Sequence, residues 1–352
     1  MFRTAALLLS VLLLGCGTAD WSADEPPESL AAYGLFDGDP RQQRPADGVI
    51  PYRLSTPLFS DYATKHRFIK LPEGTAASYQ PEEVFDFPVG TVIAKTFSYP
   101  AADGLQDLVE TRILLHGDDG WIGLPYLWND QQTEATLDVT GGARAVTLAA
   151  AAGPLPAGHE IDYRVPNQNQ CKGCHRTKDR ELLPIGPRAG LLNADFAYEV
   201  GERNQLDHWR EVGALADGPA TSEAPRWAVW NEPQSGTLDQ RSRAWLDINC
   251  AHCHNPEGPA RTSGLDLRYV QTNPTHWGVD KSPVAAGRGS GDRLVDIAPG
   301  DPDGSILLYR LESLDPGEMM PELGRSMVHA ESVALIREWI ETMEQGPTEA
   351  AG

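Results

Sequence analysis

The stretch Cys250-Ala251-His252-Cys253-His254 and its earlier counterpart Cys171-Lys172-Gly173-Cys174-His175 share the pattern C-x-x-C-H. Two thiols at this spacing lie on one helical turn, where both can form thioether bonds to the vinyl groups of one haem. The histidine that follows then lies beneath the iron as its proximal ligand. The sequence therefore predicts two covalently bound haem c groups, held by Cys171, Cys174, His175, Cys250, Cys253 and His254.

Other uses of paired cysteines fit this pattern less well. A structural zinc site usually separates its C-x-x-C pairs by roughly 15–20 residues, whereas residues 175–249 separate the pairs here. Zinc, redox disulfides and buried unreactive thiols also leave the histidine after each pair unexplained. Because four of the five cysteines fall within the two motifs, haem attachment is the favoured interpretation.

The composition is strongly acidic, with a formal net charge of −21. Such a surface argues against nucleic acid as a partner, because phosphates attract a basic surface. It suits a basic redox partner protein, but a solvated, self-repelling surface is the favoured explanation of the charge.

The N-terminus has the pattern of a targeting segment. Arg3 precedes the apolar run Ala5–Leu14, which is too short to span a bilayer because a spanning helix needs about 20 residues. The stretch Leu13-Leu14-Gly15-Cys16 resembles the lipobox of bacterial lipoproteins, which implies cleavage before Cys16 and lipid attachment to its sulfur. We therefore predict a signal peptide at 1–15, a tether at 16–30 and a lipid-anchored location in the cell envelope; an ordinary secretory signal is the alternative.

Residues 31–165 carry short runs rich in β-branched and aromatic residues, bounded by Gly, Pro or Asp. Examples are Val84–Phe87, Thr91–Phe97 and Leu108–Leu115. These runs predict an antiparallel, sandwich-like β-rich domain.

The composition changes after Val165. Residues 166–225 contain the first motif, and a proline-containing linker precedes a second module at 237–345. In that module we expect a helix from Arg241 to Cys253 and a closing helix with a stripe of apolar residues. The predicted fold is multidomain α+β, with mostly α-helical haem modules following the β-rich domain.

A second axial ligand for the later haem is sought among the methionines. Met320 precedes Pro321 in a loop before the closing helix, and a thioether ligand raises the haem potential. We predict His254 and Met320 as the ligand pair, with Met319 as the rival and simple packing of both methionines as the alternative. No methionine lies between residues 2 and 318, so the second ligand of the first haem stays open: His208, an upstream histidine, a methionine of the last module, or none.

The second module resembles the cytochrome c superfamily in its motif-bearing helix, its Met-Pro loop and its closing helix. Nearly the whole mature chain resembles an uncharacterised bacterial two-haem c-type cytochrome family, through the phrases at 56–62, 165–171, 243–250 and 319–325. This resemblance implies haem binding and electron transfer, with His175, His254 and Met320 as iron ligands, and it implies no substrate.

The predicted function is that of a lipid-anchored two-haem electron carrier. The alternative is a haem enzyme, such as a peroxidase or a small-molecule oxidase, with an open iron at the first haem. A third interpretation makes the β-rich domain a docking module for a redox partner.

Overall fold

The chain was analysed as a computed structural model that describes residues 25–284 and 286–344. Its largest element is a six-stranded antiparallel sheet in the order β1-β2-β4-β5-β6-β7. Its strands are β1 (Val49–Tyr52), β2 (Thr64–Lys70), β4 (Val92–Pro100), β5 (Gln106–Gly117), β6 (Gly120–Trp128) and β7 (Ala135–Leu137). Three small pairs accompany it: β3 (Ala77–Ser78) with β12 (Leu215–Ala216), β8 (Gly142–Thr147) with β9 (Glu160–Val165), and β10 (Asp195–Tyr198) with β11 (Gly201–Asn204).

The central strand β4 is buried along nearly its whole length, because both faces of the sheet are covered. One face packs against the N-terminal segment that contains Tyr33. The opposite face packs against residues from later in the chain, including Trp209, Trp227 and Ile248. The sheet is therefore the scaffold on which the segments that carry both motifs are assembled.

Helices in the described residues are short. They are α1 (Gln168–His175), α2 (Ala189–Leu192), α3 (Gln205–Glu211), α4 (Leu238–Leu246), α5 (Pro274–Trp277), α6 (Ile306–Glu312) and α7 (Ala330–Glu341). A π-helical turn, Asp247–Ala251, continues α4. Single turns of 3-10 helix lie at Leu30–Tyr33, Pro40–Gln42, Pro233–Ser235, Arg261–Ser263 and Gly287–Ser290.

The last core cluster joins these short helices. Trp245 of α4, Leu308 and Leu311 of α6, and Ile336 and Ile340 of α7 are buried together. The predicted apolar stripe of the closing helix thus packs where amphipathic spacing places it. The helix predicted from Arg241 to Cys253 instead ends as an α-helix at Leu246 and passes through the π turn.

The predicted fold class is wrong. We expected mostly α-helical cytochrome c-like haem modules after a sandwich-like domain, but the described chain is β-rich and its seven helices are only 4 to 12 residues long. The physical reason is that long loops separate the short helices. Stretches such as 252–273 and 313–329 form turns and loops, because their glycines and prolines interrupt helical hydrogen bonding. The β-rich part also differs from a sandwich, because one six-stranded sheet predominates in the described residues.

Neither described stretch, 25–284 or 286–344, contains a helix with the length and apolarity that a membrane crossing requires. The predicted signal peptide, Cys16 and most of the tether lie outside the described residues.

Candidate functional site

The first motif occupies α1, a helix whose sequence has little intrinsic helical propensity. Its start is stabilised by a capping box: the Gln170 backbone N–H donates to Asn167 Oδ1 at 2.8 Å, and the Asn167 N–H donates to Gln170 Oε1 at 2.9 Å. Helical spacing then places Cys171 and Cys174 on one face of the helix. The local sequence thus forms the thiol pair that attachment to one porphyrin needs.

Helix α1 lies directly on strand β6. A Cβ atom at Gly123 would lie 3.1 Å from Cβ of Cys171, so glycine at this position allows the close approach. The loop that carries the predicted methionine ligands covers the same helix, because a Cβ atom at Gly173 would lie 3.1 Å from Cδ1 of Leu323. The first motif is therefore held between the sheet and the 314–327 loop.

The second motif lies in a more buried environment. Helix α4 begins with a capping box between Thr237 and Gln240, and the π turn after it is fully buried. Cys250 is 8 % exposed and belongs to the core cluster of Trp245 and Ile336. Burial raises the pKa of the Cys250 thiol to about 12, so this thiol is neutral at pH 7. The same five-residue pattern therefore occurs once on a partly exposed helix and once in a packed core.

The two proximal-ligand candidates share one arrangement. His175 Nδ1 lies 2.7 Å from the carbonyl oxygen of Leu183, and His254 Nδ1 lies 3.0 Å from Ser263 Oγ. Metal-binding imidazoles are usually oriented in this way, with one ring nitrogen hydrogen-bonded so that the other is free to coordinate. Burial lowers the pKa of both histidines to about 4, and a neutral imidazole is the form that binds a metal.

The tertiary structure brings the two motifs into contact. Cys253 Sγ lies 3.4 Å from the carbonyl oxygen of Gly173. The ligand atoms of Cys174, His252 and Cys253 all lie within 4.8 Å of one another. The hydrogen bond from Cys253 lowers the pKa of the Cys174 thiol, and the same bond raises the pKa of Cys253.

A row of cations crosses the sheet face beneath α1. Arg67 pairs with Lys95 on the neighbouring strand, and Lys95 pairs with Arg112 on the next strand. Lys65 is two residues before Arg67 in β2, so it lies on the same face of the sheet. We call these four residues the cationic row. Strand β6 pairs its Pro125 with Arg112, so Gly123, under Cys171, is on this face too. Four basic residues of this acidic chain thus lie on the sheet face that the first motif covers.

The cationic row is incompletely neutralised. Glu110 accepts from Arg112 Nη2 at 2.5 Å, and it also accepts from the hydroxyl of Tyr163 at 2.7 Å. Among the described residues Lys95 has no hydrogen bond or ion pair; its Nζ atom lies 5.0 Å from the ring centroid of Phe97. Burial, followed by the charges of Arg112 and Arg67, lowers the pKa of Lys95 to about 7. An anion bound beside Lys95 would compensate this charge.

A cleft of about 870 Å³ adjoins the start of α1. Its walls are the β8–β9 hairpin, Asn167 and Gln170 at the start of the helix, and the 314–327 loop, including Met319 and Met327. This volume lies within the range of cofactor-binding pockets, which is about 300–1,000 Å³. The cleft touches α1 at Asn167 and Gln170, and its lining includes none of the three donor residues of the first motif.

Met320 lies on a different side of the loop from Met319. It lines a cavity of only about 20 Å³ with Trp245, Asn249 and His329, next to the helix that leads into the second motif. Its backbone N–H donates to the Arg310 carbonyl at 2.9 Å. Met320 thus lies beside Trp245 and Asn249, which precede the second motif in the chain, and Met319 lies on the side of the cleft.

Several residues of the site were missed by sequence reasoning. His252 is one of the two unspecified positions of the second C-x-x-C-H pattern, so nothing marked it out. Lys95 carried a weak signal, since it is the one charged residue of β4. Arg112 carried none, because β5 also contains Asp107 and Glu110. The candidate His208 contacts the ring of Tyr198, with centroids 3.6 Å apart; within the described chain no hydrogen bond or ring contact joins His208 to either motif.

Comparison of the chain with protein-family models, with curated proteins and with solved structures finds no match. The functional conclusion consequently depends on the chemistry of the site.

Proposed function

We propose that this chain is a two-haem c-type cytochrome that transfers electrons in the bacterial cell envelope, attached to a membrane through lipid on Cys16. The observation that carries the proposal is the repeated donor set: two paired thiols, each followed by a histidine whose Nδ1 is already engaged. A bound haem c supplies one-electron redox chemistry at its iron. The proposal concerns this chemistry and does not involve a cytochrome c fold.

The first motif fits a haem in three respects. Cys171 and Cys174 share a helix face, a cleft of sufficient volume touches the start of the same helix at Asn167 and Gln170, and the cationic row offers partners for the two propionate carboxylates. Lys95 is the strongest candidate partner, because it is the cation of the row without a hydrogen bond or ion pair in the described structure. Charge-assisted hydrogen bonds of this kind are stronger than neutral ones.

The second motif offers the same donors with less space. Cys250, Cys253 and His254 would hold the haem, and Met320 would supply the opposite ligand. The neighbouring cavity of about 20 Å³ has room for a single water. Accommodation of a porphyrin therefore requires movement of the loop that carries Met320 and Leu323 away from Trp245.

The proximity of the two motifs supports electron transfer as the role of the pair. Contact between Cys253 and Gly173 brings the two C-x-x-C-H motifs together. The unidentified redox partner is proposed to be a protein with a basic surface, in keeping with the charge of −21.

A haem count tests the proposal. Full-length chain is matured in a host that attaches haem c, denatured, and extracted with acidified organic solvent. We expect two haems per chain to stay with the polypeptide and to show reduced c-type spectra. Pigment that passes into the solvent, or a chain without Soret absorption, would refute the proposal.

Substitution of the methionines tests the ligand assignment separately. Met320→Ala is expected to remove the methionine-ligation signature from one haem while both haems stay attached. Met343→Ala is the matched control, because Met343 packs against the last core cluster. Unchanged ligation in Met320→Ala would exclude Met320 as the ligand.

The cleft favours one alternative, a haem oxidoreductase with an open iron at the first motif. Carbon monoxide binding to the ferrous protein distinguishes the two functions. Uptake by one haem per chain supports the enzyme, and no uptake at neutral pH supports two closed irons and the electron carrier.

A further inference from the structure

A compact set of metal donors is formed where the two motifs meet. The set consists of Cys174, His252 and Cys253, whose sulfur and ring-nitrogen atoms all lie within 4.8 Å of one another. We call it the junction site. It takes one thiol from each motif, together with a histidine that neither C-x-x-C-H pattern uses as an iron ligand. This grouping is therefore different from both haem-attachment sets.

Contacts outside the three donors hold the junction together. The Lys178 backbone N–H donates to the carbonyl oxygen of Glu257 at 2.6 Å, and the side chains of the same residues form an ion pair of 2.8 Å. The Asn255 side chain donates to the Ala251 carbonyl oxygen at 2.7 Å, which secures the turn after the second motif. The donors are thus brought together by the fold and not by the side chains alone.

One donor has an unsatisfied polar atom. His252 Nδ1 is buried and has no hydrogen-bond partner among the described residues. Leaving a buried polar atom unpaired destabilises the folded state, because the atom loses its hydrogen bonds to water and gains none in return. A metal bond made by Nδ1 would remove that penalty.

The donor chemistry indicates the class of metal. Two thiolates and one imidazole form a known zinc donor set, with bond lengths of about 2.3 Å to sulfur and about 2.0–2.1 Å to nitrogen. Tetrahedral coordination at these lengths puts the donor atoms roughly 3.5–3.8 Å apart, so small side-chain rotations of the three residues suffice. A fourth position stays open to water.

We propose that, before haem is attached, the chain binds one zinc-type divalent cation at Cys174, His252 and Cys253. Binding requires both sulfurs as thiolates, so any proton still on Cys174 or Cys253 is released when the metal binds, and protonation competes with the metal. Where the proposed function also holds, metal binding and haem attachment exclude each other, because Cys174 and Cys253 serve both. The metal would then keep these two thiols apart from disulfide chemistry until attachment.

The test uses the full chain produced without haem attachment, reduced, and titrated with Co²⁺ and then with Zn²⁺. We expect one Co²⁺ per chain with thiolate charge-transfer absorption and tetrahedral d–d bands, displaced by one Zn²⁺. His252→Asn should weaken binding at least about tenfold, and His276→Asn, which alters an exposed histidine, should leave it unchanged. Cys174→Ser should remove the charge-transfer band, whereas Cys171→Ser should retain it.

Failure of this proposal is distinguishable from failure of the proposed function. No bound metal, or equal affinity in wild type and His252→Asn, would overturn the junction site and leave haem attachment untouched. Because His252→Asn retains every residue of both C-x-x-C-H patterns, its matured form should still carry two haems. Circular dichroism of each variant without metal confirms that a lost signal does not come from unfolding.

Discussion

The two C-x-x-C-H motifs have the same donor residues, but the first cysteine of each lies in different surroundings. The first lies on an eight-residue helix without a buried residue, beside a large cleft and a row of cations. The second follows a buried π turn, with Cys250 in a hydrophobic core and only a water-sized cavity nearby. The difference shows that a motif defines which atoms can bind a cofactor, while burial defines how the cofactor reaches them.

The largest expected effect comes from removing one thiol pair at a time. Cys171→Ser/Cys174→Ser and Cys250→Ser/Cys253→Ser should each reduce the haem count of the matured chain from two to one, measured by pyridine haemochrome absorbance per chain. Only the second pair should also lower stability in the haem-free chain, because Cys250 is packed in the core. Equal stability losses in both double variants would contradict the contrast in burial.

A buried ion pair fastens the second motif to the segment that follows the first. Asp247 accepts from the Arg188 guanidinium and from the Tyr269 backbone N–H at 2.9 Å, and its side chain is fully buried. Asp247→Ala leaves Arg188 without its partner, so we expect a loss of about 3–5 kcal/mol in the free energy of unfolding. Urea denaturation measures this loss.

The double variant Arg188→Met/Asp247→Leu is the control for that prediction. Replacement of both partners by apolar side chains removes the unpaired charge, so it should cost less than Asp247→Ala alone. A double variant that is less stable than the single one would show that the pair contributes more than charge compensation.

The cationic row should make the stability of the haem-free chain depend on pH. The pKa of Lys95 is about 7 in the folded chain against an ordinary value of 10.5, so the unfolded chain binds the extra proton between these values. The free-energy cost of burying the charged Lys95 side chain is therefore fully present below pH 7, and it disappears as the pH rises toward 10.5. Lys95→Met should therefore be more stable than wild type at pH 7, with a smaller difference at pH 10.

Urea denaturation at both pH values measures this difference, and Lys172→Met is the matched control because Lys172 is exposed. In the matured chain the sign should reverse, since a propionate carboxylate beside Lys95 would make its charge favourable. A Lys95→Met difference that is the same at pH 7 and pH 10 would contradict the assignment of an uncompensated cation.

The smallest expected effect concerns the exposed ion pair between the motifs. Lys178 and Glu257 are 2.8 Å apart, and their side chains are 42 % and 53 % exposed. Glu257→Gln should cost less than about 1 kcal/mol, because solvent screens exposed pairs. Salt should reduce this cost further, whereas the cost of Asp247→Ala should change little. If Glu257→Gln lowered the free energy of unfolding about as much as Asp247→Ala, the exposed and the buried ion pair would stabilise the fold equally.

Local patterns predicted much of the site. The spacing of Cys171 and Cys174 required a helical turn, and the Asn167–Gln170 capping box formed that turn despite poor helix formers. The β-branched run at 108–115 lies within β5, and the run at 91–97 starts one residue before β4. The helical content of the second half of the chain was predicted wrongly. Apolar spacing predicts a helix but says nothing about the length of the loops between helices.

The sequence by itself determined the donor residues, since the covalent spacing of two thiols and a histidine is a local property of five consecutive residues. Only the tertiary structure decided that the motifs touch, that His252 joins Cys174 and Cys253, and that Lys95 and Arg112 lie beneath the first motif. These relations depend on strand register and on the packing of segments far apart in the chain, and no local pattern encodes them.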